Sequence, residues 1–553
     1  LTLFCQCEPE REAMKKKKTS RIIAVCMATV LLIGSVGCSS AEEGARASVP
    51  GGSEQASSLS TDGAQNEKPT DQNDQIVIAG YRDPGRGTKD PYYTNVNLYV
   101  WEPLIGETDQ GEPEPRLATS WDRNEDATVW TFHLREGVQF SDGVPFNADA
   151  VLKNFERYRN MGVVSSTFFA FDVDAVYPGL QSVEKEDDYT VRLTFENPIP
   201  TLPYTMINFG CGMFSPECYD PQTGEFKEYC VGTGPFVISE HVPDEYITLE
   251  RNEKYYGDPA KAASIKIRII PDHETRIAAL RSGEIMGVYD NNAILPQSAK
   301  ELGEAGGFVV SSALSANIQY LNVNNQNFPF NDVRMRRAMS MIIDRDTLLN
   351  DIYCGYGKTT VNVLSPMSVF YQDIQPEYNP EAAKALAAEV LQGQTPTVRL
   401  LTASTYKTDA ELISYWLGEL GLNVQIQVLD SAAVSAALKE RDFDLSMGFK
   451  GMNNAEPETM LRGFLHTDGF MNNGFAMSGY HNEEVDALLD QLKDTYDEEE
   501  RAALFNQLQK IGAEELPVIP LIAVTTLVVH SDQVTGYDAK FTGITLPEVA
   551  WVS

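Results

Sequence analysis

The sequence predicts an α/β fold class, with helices packed over sheets. Strand-like runs such as KIRII at residues 266–270 and TVRLL at residues 397–401 alternate with amphipathic helical segments such as EEVDALLDQLKDTY at residues 483–496. This alternation is typical of helices that cover the faces of a sheet. With 553 residues, the chain has room for roughly two to four domains that each bury a core.

The composition argues against one class of function. The chain has 42% hydrophobic and 22% charged residues, which is ordinary for a globular protein. Its 79 acidic residues against 44 basic ones, however, give a formal net charge of −35. Such an acidic surface repels the phosphate backbone of nucleic acids. We therefore expect no nucleic-acid partner.

Residues 1–38 carry the features of an export signal. From Met14 the chain reads MKKKKTSRIIAVCMATVLLIGSVGC, a basic cluster followed by an apolar run and small residues. The apolar run is shorter than the roughly 20 residues that span a bilayer, so it predicts a signal peptide. Its end resembles a bacterial lipobox, with Ser35 in place of the usual leucine, which implies lipidation of Cys38 and anchoring to the outer face of the cytoplasmic membrane. An ordinary secretory signal with an incidental cysteine is the alternative.

Residues 39–74 predict a flexible tether. They are rich in Ser, Gly, Ala and acidic residues and contain no aromatic residue, so they cannot bury a core. A flexible segment of this length spans on the order of 30 Å. Such a tether suits a folded domain that is held near a membrane.

Residues 130–151, WTFHLREGVQFSDGVPFNADAV, predict a strand, a tight turn and the start of a helix. Apolar and polar residues alternate over residues 130–135, as in a half-buried strand. Asp142 and Gly143 favour a turn, and Asn147 is suited to cap a helix that begins at residue 148. The segment predicts a scaffold and contains no set of reactive side chains.

The chain lacks the sequence motifs of common catalytic sites. GxSxG, HExxH and GxGxxG are absent, and CGYGKTT is preceded by Ile352 where a phosphate-binding loop needs its first glycine. The six histidines are scattered without i, i+4 pairs, which is typical of surface or core histidines. We therefore predict a protein that is not an enzyme and that carries no cofactor.

Cys211, Cys218, Cys230 and Cys354 would remain in a mature exported protein, and the first three lie close together in sequence. A disulfide within that trio is one expectation in an oxidising compartment, although spacing does not fix the pairing. A metal site is the alternative, but the gap between Cys211 and Cys218 matches no CxxC spacing. We therefore predict no metal site.

Several blocks resemble, in order, the signatures of bacterial solute-binding proteins of family 5, the peptide and nickel receptors of ABC importers. The resemblance covers residues 75–553 and is closest in wording to the nickel-binding branch. The blocks are LATSW (117–121), WTFHLREGVQFSDGVPFNADAV (130–151), VGTGPFVISE (231–240), ERNEKYYG (250–257) and NVNNQNFPFNDVRMRRAMSMIIDRDTLL (322–349).

The resemblance implies a periplasmic-binding-protein-like class II fold, with two lobes that close around a ligand by hinge motion. It also implies an ABC permease and ATPase as partners and a monomeric receptor. The expected parts are a lobe I sheet domain at 75–110, 230–312 and 526–553, an inserted subdomain of lobe I at 111–229, and lobe II at 313–525.

The peptide branch of the family usually holds the α-amino group of its ligand with an aspartate, because a buried ammonium needs a countercharge. In the matching segment, GFKGMNNAEPETML, Asn453 stands about where that aspartate would be. Asn453 still offers a hydrogen-bond acceptor. Glu456 and Glu458 are the carboxylates that would replace the missing charge, and solvated loop charges are the alternative for both.

The nickel branch lines its cleft with a tyrosine, a tryptophan, an arginine and a histidine. Tyr93 matches that tyrosine. The tryptophan falls on Phe168 or Phe169, the arginine on or near Phe209, and the histidine on Glu458. The resemblance therefore implies a site without the bidentate arginine for a chelator carboxylate and without the direct metal ligand.

Aromatic residues dominate the expected cleft wall, which would stack on a hydrophobic peptide, a heterocycle or a metal complex. Core packing is the alternative for many of them. The candidates are Tyr92, Tyr93, Phe168, Phe169, Phe209, Phe370 and Tyr371. The sequence thus predicts an importer receptor for a peptide or a small metal chelate. A lipid-tethered sensor or adhesin without transport is the main alternative, and a secreted hydrolase with an unfamiliar site is a remote one.

Overall fold

Three sheets of four or more strands organise the described part of this computed structural model. The described residues, all within the compact unit 71–553, are 75–85, 98–108, 112–162, 164–165, 170–207, 211–290, 293–451, 457–472, 478–495, 497–540 and 543–552. The strands of the three sheets, numbered along the chain, are β1 (Gln75–Gly80), β2 (Ala118–Arg123), β3 (Val129–Leu134), β4 (Leu180–Asp187), β5 (Thr190–Phe195), β6 (Phe236–Val242), β7 (Tyr246–Arg251), β8 (Ser264–Ile269), β9 (Phe308–Val323), β10 (Gly357–Thr359), β11 (Thr397–Thr402), β12 (Asn423–Val428), β13 (Leu445–Gly451) and β14 (Val518–Ser531).

Helices alternate with these strands, as the sequence predicts. Short paired strands supplement the sheets at Glu102–Pro103 with Gly212–Met213 and at Ile105–Glu107 with Pro113–Pro115. The α-helices are α1 (Ala148–Met161), α2 (Val173–Val176), α3 (Leu202–Thr205), α4 (His273–Ser282), α5 (Pro296–Ala305), α6 (Val333–Ile342), α7 (Arg345–Thr347), α8 (Pro380–Leu391), α9 (Lys407–Glu419), α10 (Ser431–Lys439), α11 (Pro457–Leu465), α12 (Glu483–Lys493) and α13 (Glu498–Glu515). Among the described residues, none of the helices is both long and apolar enough to cross a bilayer.

The first sheet has the strand order β1-β8-β7-β6. β1 and β8 are parallel, and β8, β7 and β6 follow as an antiparallel meander. The hydrophobic cluster on this sheet also contains Val528, Tyr537 and Leu546 from the C-terminal part of the chain. The last residues of the chain therefore complete the core that begins at β1.

The second sheet has the order β2-β3-β5-β4 and is antiparallel. It contains the predicted strand, turn and helix. Trp130, Phe132 and Leu134 point into the core from β3, and α1 packs over the sheet. The Asn147 side chain accepts a hydrogen bond from the backbone N–H of Ala150 at 3.1 Å, which confirms the predicted cap.

The third sheet has the order β10-β14-β9-β13-β11-β12. β13, β11 and β12 are parallel to one another, whereas β9 and β14 are antiparallel neighbours at its centre. Two hydrophobic clusters cover it, one around α6, α8 and α9 and the other around α11, α12 and α13. A sheet covered by helices in this way is buried, so its strands are rich in apolar residues.

β9 and β14 are the longest strands of the described chain, with 16 and 14 residues. Their pairing runs from Phe308 opposite Ser531 to Asn322 opposite Val518. At one end, Val310 and Val529 pack with the cluster around α4 and α5. At the other end, Leu321 and Ile519 pack with the cluster around α6. The two strands therefore connect two separate cores, and the expected lobe boundaries at residues 313 and 525 fall within them.

A buried hydrogen-bonded pair of side chains, Asp83 and His241, holds the segment after β1 against the first sheet. The Nε2 atom of His241 lies 3.0 Å from both oxygens of Asp83. The backbone N–H groups of Gly85 and Asp244 also donate to this carboxylate, at 2.7 and 2.9 Å. Burial by itself raises the pKa of Asp83, but the hydrogen bonds from His241, Asp244 and Gly85 outweigh it and hold the pKa below 3.8.

We expect Asp83→Asn to destabilise the first sheet by about 3 kcal/mol, because it leaves the buried groups of His241, Gly85 and Asp244 without their carboxylate acceptor. The measurement is the urea midpoint of unfolding. Asp122→Asn is the matched control, since the Asp122 side chain lies 3.1 Å from His133 but is 79% exposed, and we expect it to change stability by less than about 0.5 kcal/mol.

The same variant, Asp83→Asn, tests how the stabilisation by the Asp83 carboxylate depends on pH. A carboxyl whose folded-state pKa is depressed stabilises the protein above its unfolded pKa of about 4, and this stabilisation is lost as the pH falls through the folded-state pKa. The difference between the wild type and Asp83→Asn should therefore be largest near neutral pH and shrink below about pH 4. Equal effects of the two aspartate variants at neutral pH would contradict a stabilising role for the buried pair.

Candidate functional site

The carboxyl ends of parallel strands locate the candidate site. In open α/β sheets, ligands bind in the crevice beyond these strand ends. In the first sheet, β1 ends at Gly80 and is followed by Tyr81. In the third sheet, β11 ends at Thr402 and leads through a short helical turn to Tyr406 and α9. We therefore place the candidate site between these two strand ends.

Tyr81, which follows β1, contributes to the electrostatic surroundings of Tyr406, which precedes α9. Burial is the main cause that raises the pKa of Tyr406, to about 12, and the neighbouring Asp409 and Tyr81 raise it further. Both tyrosines are partly exposed. A partly exposed tyrosine therefore follows the strand end of each sheet.

A buried carboxylate and two guanidinium groups fix the strand end of the first sheet. Asp290 is 6% exposed and accepts a hydrogen bond from the backbone N–H of Tyr81 at 3.1 Å. Burial raises the pKa of Asp290, and the positive charges of Arg82 and Arg276 oppose that rise. Arg276 also donates to the backbone carbonyls of residues 270, 271 and 293. The backbone that carries Tyr81 is thus held from several directions.

Asp409, in the first turn of α9, supports the opposite side of the gap. It is 3% exposed and accepts hydrogen bonds from the Nε2 atom of Gln319 at 2.8 Å and from the hydroxyl of Tyr353 at 3.0 Å. Burial raises the pKa of its carboxyl, while these two donors lower it. Asp409 links α9 to β9 and stabilises the segment that carries Tyr406. It is therefore a supporting residue rather than an exposed charge.

The ladder between β9 and β14 is interrupted where the two strands pass from one core to the other. The pairing shifts between Leu314 and Ile318. The hydroxyl of Ser315 donates to the carbonyl of Val524 at 2.7 Å, and the hydroxyl of Ser365 donates to the carbonyl of Ser315 at 2.7 Å. Side-chain hydroxyls thus replace backbone pairing at this irregularity.

Most of the residues that the sequence predicts for the site lie outside the described residues. They are Tyr92, Tyr93, Phe168, Phe169, Phe209, Asn453 and Glu456, and the predicted lipidation residue Cys38 lies outside as well. In sequence, Tyr92 and Tyr93 follow β1 and Asn453 and Glu456 follow β13. Their roles in binding remain predictions.

Glu458 is described, and its charge has a partner inside lobe II. It lies in the first turn of α11, and one of its oxygens accepts a hydrogen bond from Arg501 of α13 at 3.1 Å. The two side chains are only 18% and 9% exposed. This ion pair fastens α11 to α13.

Phe370 and Tyr371 are also described, and both pack against the cluster around α11, α12 and α13. The ring of Phe370 stacks on that of Phe505, with centroids 4.8 Å apart. The Nζ atom of Lys358 lies 5.6 Å from the ring centre of Tyr371. These contacts favour core packing, the alternative that the sequence left open, and a binding role for either residue remains a prediction.

Sequence reasoning missed Tyr81 and Tyr406. The available signal was their position, because each comes shortly after a strand with a buried carboxyl end. Neither stands in a recognisable motif.

The four described cysteines are free thiols, and Cys211, Cys218 and Cys230 are buried. Burial raises the pKa of Cys211 to about 12 and that of Cys218 to about 11, so both are protonated and unreactive at neutral pH. Within the described ranges, no group of three or more His, Cys, Asp or Glu side chains is arranged to hold a metal ion.

Comparisons with known proteins agree with this architecture. The family model described as "Bacterial extracellular solute-binding proteins, family 5 Middle" matches residues 112–472, more than half of the chain. Heme-binding protein A of Haemophilus influenzae is 29% identical over 88% of this chain and 93% of its own length. The probable D,D-dipeptide-binding periplasmic protein DdpA of Escherichia coli is 26% identical over 84% of this chain and 91% of its own.

Solved structures share the fold. The periplasmic binding protein DppA of Helicobacter pylori, in complex with the peptide STSA, has a TM-score of 0.70 and 26% identity, covering 87% of this chain and 98% of that one. NikA of Brucella suis, in complex with Fe(III)-EDTA, has a TM-score of 0.76 and 22% identity, covering 86% of this chain and 100% of that one. These likenesses confirm the two-lobed, periplasmic-binding-protein-like fold. The chain belongs to the bacterial extracellular solute-binding proteins of family 5.

Proposed function

We propose that this protein is the exported, lipid-anchored receptor of an ABC importer, which captures a small ligand between its lobes and delivers it to the permease. Members of this family bind peptides or other small ligands and work with an ABC permease and ATPase. The basic and apolar leader that ends at Cys38 supports export and anchoring. The proposal assigns no chemical reaction to the protein.

The observation that carries the proposal is that two long paired strands run through two separate cores, one around α4 and α5 and the other around α6. The sheets are joined by β9 and β14, whose ladder is interrupted beside Ser315. Bending at such a point would close the gap between the strand ends. A ligand that contacts both lobes favours the closed form, and loss of water from the gap strengthens its polar contacts.

A peptide is the first ligand class that we propose. Similar proteins are named for a D,D-dipeptide and for glutathione, and a similar structure holds the peptide STSA. A peptide amino group needs a countercharge or an acceptor. Asn453 offers an acceptor, and Glu456 remains as the carboxylate of that segment because Glu458 pairs with Arg501.

A metal complex is the second ligand class, and it would stack on the aromatic candidates around Tyr93. One similar protein is named for heme binding. A lipid-tethered sensor or adhesin is the alternative function. Such a protein would bind the same ligand, but its gene would have no permease or ATPase neighbours and its loss would leave uptake unchanged.

The mass of co-purified cargo separates the two ligand classes. We expect native mass spectrometry of the freshly purified mature protein to show a ligand-bound species that releases an unmodified peptide or an intact metal complex. Incubation of the released compound with fresh protein should leave its mass unchanged. A compound that returns with altered covalent bonds would contradict a receptor and support a hydrolase.

We expect Tyr93→Ala to weaken binding of that cargo by about tenfold or more, because a truncated aromatic contact in a binding site typically costs over 1 kcal/mol. The melting temperature should change little. Calorimetry and thermal unfolding are the two measurements. Tyr415→Ala, at a side chain that is 65% exposed on α9, is the control and should alter neither quantity. A large loss of melting temperature in Tyr93→Ala would place this residue in the core instead.

The lipid anchor has its own test. Cys38→Ser should remove the acyl modification, so the protein should leave the membrane fraction of the expressing bacterium and appear in the soluble exported fraction. Cys26→Ser, inside the apolar run of the leader, is the control and should leave the protein with the membrane. A Cys38→Ser protein that is retained like the wild type would contradict lipidation at this residue.

A further inference from the structure

A cavity of about 810 Å³ is lined by residues between Tyr99 and Asp258 and between Lys540 and Glu548. Its walls come from the short paired strands Ile105–Glu107 and Pro113–Pro115, from Tyr255 and Tyr256 after β7, and from Thr545 and Glu548 near the C-terminus. Neither Tyr81 nor Tyr406 lines it. The cavity therefore does not include the two described tyrosines of the proposed ligand site.

Most charged groups around this cavity have partners. Glu102 is 6% exposed, and its carboxylate accepts hydrogen bonds from Thr233 at 2.8 Å and from the hydroxyls of Tyr255 and Tyr256 at 3.2 and 3.1 Å. Arg116 donates to Glu114 at 2.6 Å. These groups satisfy one another through hydrogen bonds and an ion pair. They therefore hold the wall of the cavity in place and leave little capacity to bind a ligand.

Glu107 differs from its neighbours. Its Oε1 atom is buried and has no hydrogen-bond partner among the described groups. Burial raises the pKa of Glu107 to about 8. In the empty cavity the carboxyl is therefore mostly protonated at neutral pH, because a buried charge without a partner is costly.

The charged residues that line the cavity are predominantly acidic. They are the acids Glu102, Glu107, Glu114, Asp258 and Glu548 and the bases Arg116, Arg135 and Lys540. Arg135 is engaged by the carbonyl of Arg116 and by the ring of Tyr256, and Glu548 is paired with Lys261 outside the lining. The unused acceptor of the cavity is thus the Oε1 atom of Glu107, and the rings of Tyr255 and Tyr256, which contact each other, supply an aromatic part of the wall.

We propose that this cavity is a second binding site, which takes a small organic cation with N–H donors, an alkylammonium or a guanidinium. The cation donates to the Glu107 carboxylate, and its hydrocarbon part packs beside Tyr255 and Tyr256. Because the lining residues all belong to lobe I and its inserted part, binding here does not require the lobes to close.

Binding is coupled to the loss of one proton. The Glu107 carboxyl gives up its proton to the solvent as the cation enters, and the carboxylate then pairs with the cation. An alkylammonium stays charged up to a pH of about 10, so its affinity should rise as the pH increases toward 8 and level off above that value.

Butylammonium is the probe, and 1-butanol is the uncharged probe of equal length. We expect calorimetry at pH 7 to show saturable binding of butylammonium and none of 1-butanol. Titrations in two buffers of different ionisation enthalpy should show release of most of one proton per cation. Emission from Trp101, which also lines the cavity, should change on binding.

Glu107→Gln should weaken binding by about tenfold or more and abolish the proton release. It should unfold at the wild-type temperature, since Gln resembles the protonated carboxyl. Glu112→Gln removes the same charge from the exposed surface of the same hairpin and should bind within about twofold of the wild type. Glu107→Asp keeps a carboxylate at this position and serves as the second test variant if Glu107→Gln folds poorly. Equal binding by Glu107→Gln and wild type, binding without proton release, or no saturable binding would overturn the proposal.

Discussion

The pairing of β9 with β14 is the constraint on which the rest of the structure depends. These two strands form the centre of the third sheet, and their other ends join the cluster that contains α4 and α5. Each lobe therefore includes part of the same two strands in its core, so the lobes cannot separate without breaking the backbone pairing on one side of the irregularity. In the proposed mechanism the lobes bend where that ladder is irregular, beside Ser315 and Val524.

This arrangement separates the rigid parts of the molecule from the movable ones. Asp290 and Arg276 hold the strand end of the first sheet, and Asp409 with Gln319 and Tyr353 holds that of the third. Buried polar groups that satisfy one another in this way keep each side of the gap in one geometry. The free energy of ligand binding can then act on the angle between the lobes rather than on the shape of either lobe.

The sequence predicts local structure well and long-range contacts poorly. The strand, turn and helix of residues 130–151 follow from alternation, turn chemistry and a cap, which all act within a few residues. The electrostatic influence of Tyr81 on Tyr406 joins residues far apart in the sequence, and no local pattern encodes it. The pairing of Glu458 with Arg501 likewise joins residues 43 positions apart. The sequence therefore did not reveal that the Glu458 carboxylate already has a partner. The family resemblance, which rests on ordered blocks, predicted the architecture and the class of protein but not the ligand.

Solution scattering of the mature protein with and without its cargo tests the central claim most directly. The account predicts a smaller radius of gyration in the ligand-bound state, because the lobes bend together about the two crossing strands. An unchanged radius of gyration, with binding confirmed by calorimetry in the same sample, would contradict closure and with it the proposed mechanism of capture.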